Sequence, residues 1–186
     1  MSSNEMCLLL GATGVGKTML LKRLQNILLN EACEAEFWCD SASLSPSNIS
    51  TLPQVGTNLT DLTVKRKKVT VRELGGCMGP IWPSYFTDCS SVIFVVDSAN
   101  ITQISSSCIQ LLSVLSAEPL RTASVLVLFN KRDVPCTMSL VEMKSLFRMD
   151  DIIASATQPI TTLELSARSG QGLKEVLSWL DSVTTK

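Results

Sequence analysis

Eight residues near the N-terminus, Gly11-Ala12-Thr13-Gly14-Val15-Gly16-Lys17-Thr18, are spaced to hold a polyphosphate. They fit G-x-x-x-x-G-K-[ST], with an apolar run before them and an amphipathic run after. Glycines let backbone wrap a phosphate chain with successive N–H groups pointing inward, and the following helix N-terminus adds partial positive charge. In such a loop Lys17 reaches the β- and γ-phosphates and the Thr18 hydroxyl ligates Mg²⁺.

A phosphate loop alone does not choose between adenine and guanine. Asn130-Lys131-Arg132-Asp133 closes an apolar run, where the ligand loops of open α/β sheets lie. The Asp133 carboxylate is suited to accept both guanine N1–H and the 2-amino hydrogens. Adenine lacks that donor pair and would leave the carboxylate desolvated and unpaired. Asn130 is expected to brace the loop and contact the base, and the Lys131 stem to cover the ring. Ser166-Ala167-Arg168 forms a second loop, whose Ala167 N–H is placed to donate to guanine O6.

These loops need a scaffold, and the apolar pattern supplies one. Met6–Leu10, Ser91–Asp97 and Ser124–Asn130 are short runs, the last two continuous and β-branched, as in parallel strands covered on both faces. Leu59–Val64 and Val69–Leu74 alternate around the basic turn Lys65-Arg66-Lys67-Lys68 and read as a hairpin, and Thr161–Leu165 reads as a further strand. Helical spacing appears from Lys17 to Leu29 (Leu20, Leu21, Leu24, Ile27, Leu28), over Ile104, Cys108, Leu111, Leu112 and Leu115, over Val141–Phe147, and over Leu173, Val176, Leu177 and Leu180. Strands separated by helices imply one α/β layer sandwich. Residues 30–52 break the pattern and are expected to form a long, mobile insertion.

Composition excludes several alternatives. The chain has 186 residues, enough for one domain, and 16 Lys plus Arg against 17 Asp plus Glu, so no bulk charge calls for nucleic acid. Histidine is absent, which removes Ser-His-Asp and Cys-His nucleophile sites and histidine zinc sites. The 7 cysteines are scattered without a C-x-x-C pair, which fits reduced thiols in a cytoplasmic setting. No apolar run reaches spanning length, and position 2 is Ser, so neither a transmembrane segment nor an N-myristoylation signal is expected. Any membrane contact is expected to be indirect or weak. The basic turn is either a weak contact for anionic lipid or simply a solvated hairpin tip.

Glu73-Leu74-Gly75-Gly76-Cys77-Met78-Gly79-Pro80-Ile81-Trp82-Pro83-Ser84-Tyr85-Phe86, followed by Val92-Ile93-Phe94-Val95-Val96-Asp97-Ser98, resembles the W-D-x-G-G-Q segment, switch II aromatics and I-F-V-V-D-S strand of small GTPases of the ADP-ribosylation factor (Arf and Arf-like) family. The resemblance covers most of the chain outside residues 30–52. It implies a P-loop α/β fold with a six-stranded, mostly parallel sheet, one antiparallel edge hairpin and helices on both faces, formed by residues 1–186 as a single G domain. It implies GTP/GDP and Mg²⁺ as ligands, and effector proteins, an exchange factor and a GTPase-activating protein as partners. A monomer working in the cytoplasm, peripheral to endomembranes or the cilium, follows from the same likeness.

On this template Gly75 and Gly76 join the nucleotide-binding set, the Gly76 N–H facing the γ-phosphate. Lys17, Gly76 and Cys77 occupy the catalytic positions and Thr18, Glu73 and Gln54 the metal positions, while Trp82, Tyr85 and Phe86, which by themselves suit core or surface equally, are by the likeness an effector-facing cluster. Three departures matter. Glu73 is one methylene longer than the family's Asp. Cys77 replaces the Gln that orients the attacking water, and a thiol is a poor substitute for an amide. Gln54 stands at the switch I Thr, and Thr51 and Thr57 are alternative ligands there. The expected outcome is either a GTP-driven switch with weak hydrolysis or a binding module that stays loaded with GTP.

Overall fold

The computed structural model describes residues 5–35, 56–135 and 137–184. Gln54, Thr51 and residues 36–52 of the expected insertion lie outside the described residues.

Five of the six strands are parallel. β1 (Glu5–Leu10), β3 (Lys67–Leu74), β4 (Ser91–Asp97), β5 (Ser124–Asn130) and β6 (Ile160–Glu164) run one way, and β2 (Thr57–Val64) joins the edge antiparallel to β3, giving the order β2-β3-β1-β4-β5-β6. Alternation along each strand divides its side chains between two cores. Cys7, Leu9, Ile93, Val95, Leu126 and Leu128 face α1 (Lys17–Ala35) and α5 (Leu173–Val183). Leu8, Leu10, Val92, Phe94, Val96, Val127 and Phe129 face α2 (Ile104–Leu115), α3 (Leu140–Phe147) and α4 (Met149–Ser155). This is the α/β sheet with helices on both faces expected from the sequence.

Boundaries differ from the sequence reading where no breaker marks them. α1 continues past Leu29 to Ala35, because Asn30 to Ala35 contains neither glycine nor proline to stop it. The hairpin turn is only Lys65-Arg66, at φ 45° and 70°, with Lys67 and Lys68 already in β3. Two left-handed residues suit the twist of a two-residue hairpin, a conformation that Asn-Gly would adopt more readily. Lys65 pairs with Asp181 (2.7 Å) and Lys68 with Asp61 (2.8 Å), which reduces the charge this tip offers an anionic surface. α4 begins at once after α3, across Arg148 at φ 51°.

A 3₁₀ segment, Gly76–Tyr85, carries Pro80 and Pro83 between β3 and β4. It lies against α2, since a Cβ built on Gly79 would stand 3.5 Å from Gln110 Nε2. Among the described residues four buried side-chain oxygens have no hydrogen-bond partner. Three of them, Gln103 Oε1, Ser107 Oγ and Gln110 Oε1, recur at helical spacing at the start of α2; the fourth is Ser98 Oγ.

Candidate nucleotide site

The ends of β1, β3, β4, β5 and β6 bring the sequence motifs to one edge of the sheet. In the phosphate loop Gly11, Gly14 and Gly16 take φ of 146°, 79° and 99°. At Gly16 the requirement is also one of space, since a built Cβ would lie 2.5 Å from Asn130 Nδ2. Gly14, by contrast, has nothing within 4 Å of a built Cβ and borders open space. Lys17 is buried, and its Nζ donates to the carbonyls of Gly11 and Ala12 at 2.9 Å each. Burial pulls its ammonium down to about 8, offset in part by negative charge at Glu73.

Thr18 and Glu73 meet at the metal position. The Thr18 hydroxyl donates to Glu73 Oε1 at 2.5 Å. Glu73 is 1% exposed, and burial raises its carboxyl above the usual carboxylate range, against the pull of Thr18, Lys17 and Lys22. Two hard oxygens converging here suit a small divalent cation that takes one or two protein ligands and completes its shell with phosphate and water. Among the described residues no group of three or more His, Cys, Asp or Glu side chains forms a cage for an ion.

Gly76 is pressed onto the phosphate loop: a built Cβ would overlap the Ala12 carbonyl carbon and the Thr13 backbone nitrogen. Only a residue without a side chain allows that approach. Gly75 N–H donates to the Gly56 carbonyl (3.0 Å), and Gly75 is itself an acceptor for Trp82 Nε1 (3.1 Å). Cys77 is exposed at the start of the 3₁₀ segment.

Trp82 and Phe86 require a correction. Both are 3% exposed and belong to the core under β4 and α2, not to an effector-facing surface. The indole pays for its burial with the hydrogen bond to Gly75, and tertiary packing decides a placement that aromatic spacing alone leaves open. Tyr85 alone keeps a partly open ring, with the Arg72 guanidinium 5.1 Å from its centroid.

The base loops are held by one buried side chain. Asn130 Nδ2 donates to the Val15 carbonyl (2.8 Å), and its Oδ1 accepts from the Ala167 N–H (3.0 Å). The N–H expected to face guanine O6 is thus directed to Asn130. Lys131, at φ 66°, reaches both the Gly14 carbonyl and Asp97 Oδ2 at 2.7 Å. Ser166 donates to Asp133 Oδ1 (2.7 Å), so the carboxylate assigned to the base is oriented from the neighbouring loop. Arg168 is exposed, and its carbonyl, like that of Ala167, accepts from the Arg23 guanidinium (3.2 and 3.1 Å). Asp97, Arg23 and Gln103, whose Nε2 donates to the Thr13 carbonyl (3.2 Å), escaped the sequence reading. Only Asp97 carried a signal, as an acidic residue ending an apolar strand.

The sequence model of the ADP-ribosylation factor family matches residues 42–184. The chain is 58% identical over 181 residues to human ADP-ribosylation factor-like protein 16, covering 97% of this chain and 87% of that one. The chain belongs to the ADP-ribosylation factor family. ADP-ribosylation factor-like protein 1 of Drosophila melanogaster is 32% identical over 98% of this chain and 91% of its own. In fold the chain resembles the Arl6 BBS3 small GTPase from Trypanosoma brucei with bound nucleotide analogue GppNp, at a TM-score of 0.77, 19% identity and 98% coverage of both chains. Membership of this Arf-like small GTPase family makes the chain a guanine-nucleotide-binding switch, in a class that works through effectors, exchange factors and GTPase-activating proteins. No helix among the described residues is long and apolar enough to cross a membrane.

Proposed function

We propose that this Arf-family protein is a Mg²⁺-GTP-dependent switch with slow intrinsic hydrolysis, whose ordered switch segments recruit effectors in membrane or ciliary traffic. The observation that carries the reading is Asn130, which joins the phosphate loop, the base loop and the Ser166–Arg168 loop through buried hydrogen bonds. Phosphate and base therefore share one braced rim.

Within that reading the backbone of Gly11, Ala12, Thr13, Gly14, Val15 and Gly16 would cradle the phosphates. Lys17 would turn its ammonium from the loop carbonyls toward phosphate oxygens. Thr18 and Glu73 would hold Mg²⁺, with Gln54 as the switch I ligand. Such an ion would supply charge neutralisation to the phosphates. Asp133, oriented by Ser166, would pair with the guanine N1–H and amino group, while Lys131, Ala167 and Arg168 close the rim. Gly75 and Gly76 allow switch II to reach the γ-phosphate, and Tyr85 with Arg72 offers a partly exposed anchor to an effector. An exchange factor and a GTPase-activating protein would set the cycle of a monomer in the cytoplasm, peripheral to endomembranes or the cilium. Nucleic acid has no part in it.

Exposed Cys77 favours a second reading, a module that stays loaded with GTP. Chromatography of nucleotide released from the freshly purified protein in Mg²⁺ buffer separates the two. Mostly GDP supports the cycling switch and mostly GTP the loaded module, whereas an adenine nucleotide contradicts both. In addition, Cys77→Gln is expected to raise single-turnover hydrolysis by roughly tenfold or more, because it returns a water-positioning amide. An unchanged rate would place the deficit at Glu73 and Gln54.

A further inference from the structure

Arg23 stands half-buried on α1, and its guanidinium forks over two successive carbonyls of the loop that follows β6. Nε donates to Ala167 (3.1 Å) and Nη2 to Arg168 (3.2 Å). The same fork lies close to Gly170, where a built Cβ would stand 3.3 Å from Nη2. A planar guanidinium held at two points fixes orientation as well as position, which a single ammonium on a flexible stem does not.

The loop so held passes its position on to Asp133. Ser166 is buried, and its hydroxyl accepts from the Ser169 N–H (3.0 Å) while donating to Asp133 Oδ1 (2.7 Å). The Gly170 N–H donates to the Ser166 carbonyl (2.9 Å) and closes the turn on itself. Asp133, by contrast, is exposed, and among the described residues the Ser166 hydroxyl is its one hydrogen-bond partner. An exposed carboxylate turns about its own bonds unless something holds it, and here the hold comes from a loop pinned to α1. Accepting two neighbouring hydrogens of a base requires a set carboxylate plane, whereas a single hydrogen bond tolerates a wider range of angles.

We propose that Arg23 is a positioning residue for base specificity. By fixing the Ser166–Gly170 loop to α1 it sets the plane of the Asp133 carboxylate, and with it the preference for a base that carries a 2-amino group beside its N1–H. This deepens the reading of Asp133 as the guanine contact and rests on it. Because α1 begins at Lys17, the carboxylate that reads the base is held in register with the helix that carries the phosphate lysine. Arg23 acts only through the loop.

Equilibrium affinities of the full chain for GDP and for inosine diphosphate, which lacks only the 2-amino group, test the assignment by displacement of a fluorescent guanine nucleotide. Wild type should prefer GDP by roughly tenfold or more, the worth of one hydrogen bond to a charged acceptor. Arg23→Met keeps the stem and removes the donors. It should cut that preference by roughly threefold or more, GDP weakening more than inosine diphosphate. Arg23→Lys should move the preference the same way by less, and covers the case in which the methionine variant folds poorly. In a Ser166→Ala background, where the link to Asp133 is gone, Arg23→Met should make no further change to the preference. Equal weakening of both nucleotides makes Arg23 a general support for the loop and overturns the proposal, as does an undiminished preference in either Arg23 variant. The same drop in the Ser166→Ala background overturns it too, because Arg23 would then act by another route. A wild type that binds both nucleotides equally removes the Asp133 reading itself, and the role of Arg23 with it.

Discussion

At the scale of single residues, the site depends on positions where one atom more or less changes the geometry. Gly76 is the tightest of them, because a methyl group there would overlap backbone atoms of Ala12 and Thr13 that have little room to retreat. Gly76→Ala is therefore expected to lift switch II from the phosphate loop, at a cost of about 1–3 kcal/mol of local packing. Titration with a fluorescent GTP analogue should show affinity falling by roughly tenfold or more; unchanged affinity would mean that the segment leaves the loop freely. The glycines, Lys17, Thr18, Asn130 and Asp133 were all legible in the sequence, because phosphate and base chemistry demand particular groups at particular spacings. Gln103 and Arg23 were not legible. Each acts on a backbone carbonyl of a distant loop, and such partners are created by the fold alone. Trp82 and Phe86 were read as surface for the complementary reason: aromatic spacing in a proline-containing segment gives no sign of which side meets the core.

Elements show the same division. Buried strands announced themselves by continuous β-branched runs, and α5 by its apolar stripe. α4 went unseen because the break before it is Arg148 in a left-handed conformation, where a sequence reading looks for glycine. α3 carries a device the sequence spells out only in retrospect. Ser139 caps its N-terminus, accepting from the Glu142 N–H (3.2 Å), while Glu142 Oε2 accepts from the Ser139 N–H (2.8 Å). Ser139→Ala should cost about 1 kcal/mol in urea unfolding. Hydrogen bonds from the Ser139 backbone and hydroxyl hold the Glu142 carboxyl below its ordinary value of 4.5. The depressed folded-state value means that this contribution is fully present above the unfolded-state value and is lost as pH falls through the folded one. Wild type and Glu142→Gln should therefore differ at neutral pH and converge in strong acid, whereas a constant difference down to that range would exclude the linkage.

Across the whole molecule, one side chain does most to make three loops behave as a unit. Asn130 is 2% exposed and satisfies buried backbone groups on both sides of it. Asn130→Ala leaves the Val15 carbonyl and the Ala167 N–H unpaired, at about 1–3 kcal/mol each. Melting temperature and guanine-nucleotide affinity should fall together, and loss of affinity alone would show that Asn130 touches the base without bracing the rim. The enclosed, unpartnered oxygens of Gln103, Ser107 and Gln110 have the opposite character. Gln110 meets the Gly76–Tyr85 segment at Gly79, and its unpartnered oxygen adds no hydrogen bond to the apolar packing there, so this polar margin should open before the strands do. Amide hydrogens in the first two turns of α2 and in residues 76–85 should exchange with solvent as one cooperative unit, well before those of β4 and β5. The face of the sheet under α1 and α5 can then stay sealed while that margin breathes, and a partner that reads the nucleotide state would find its surface made and unmade there, beside Trp82 and Phe86.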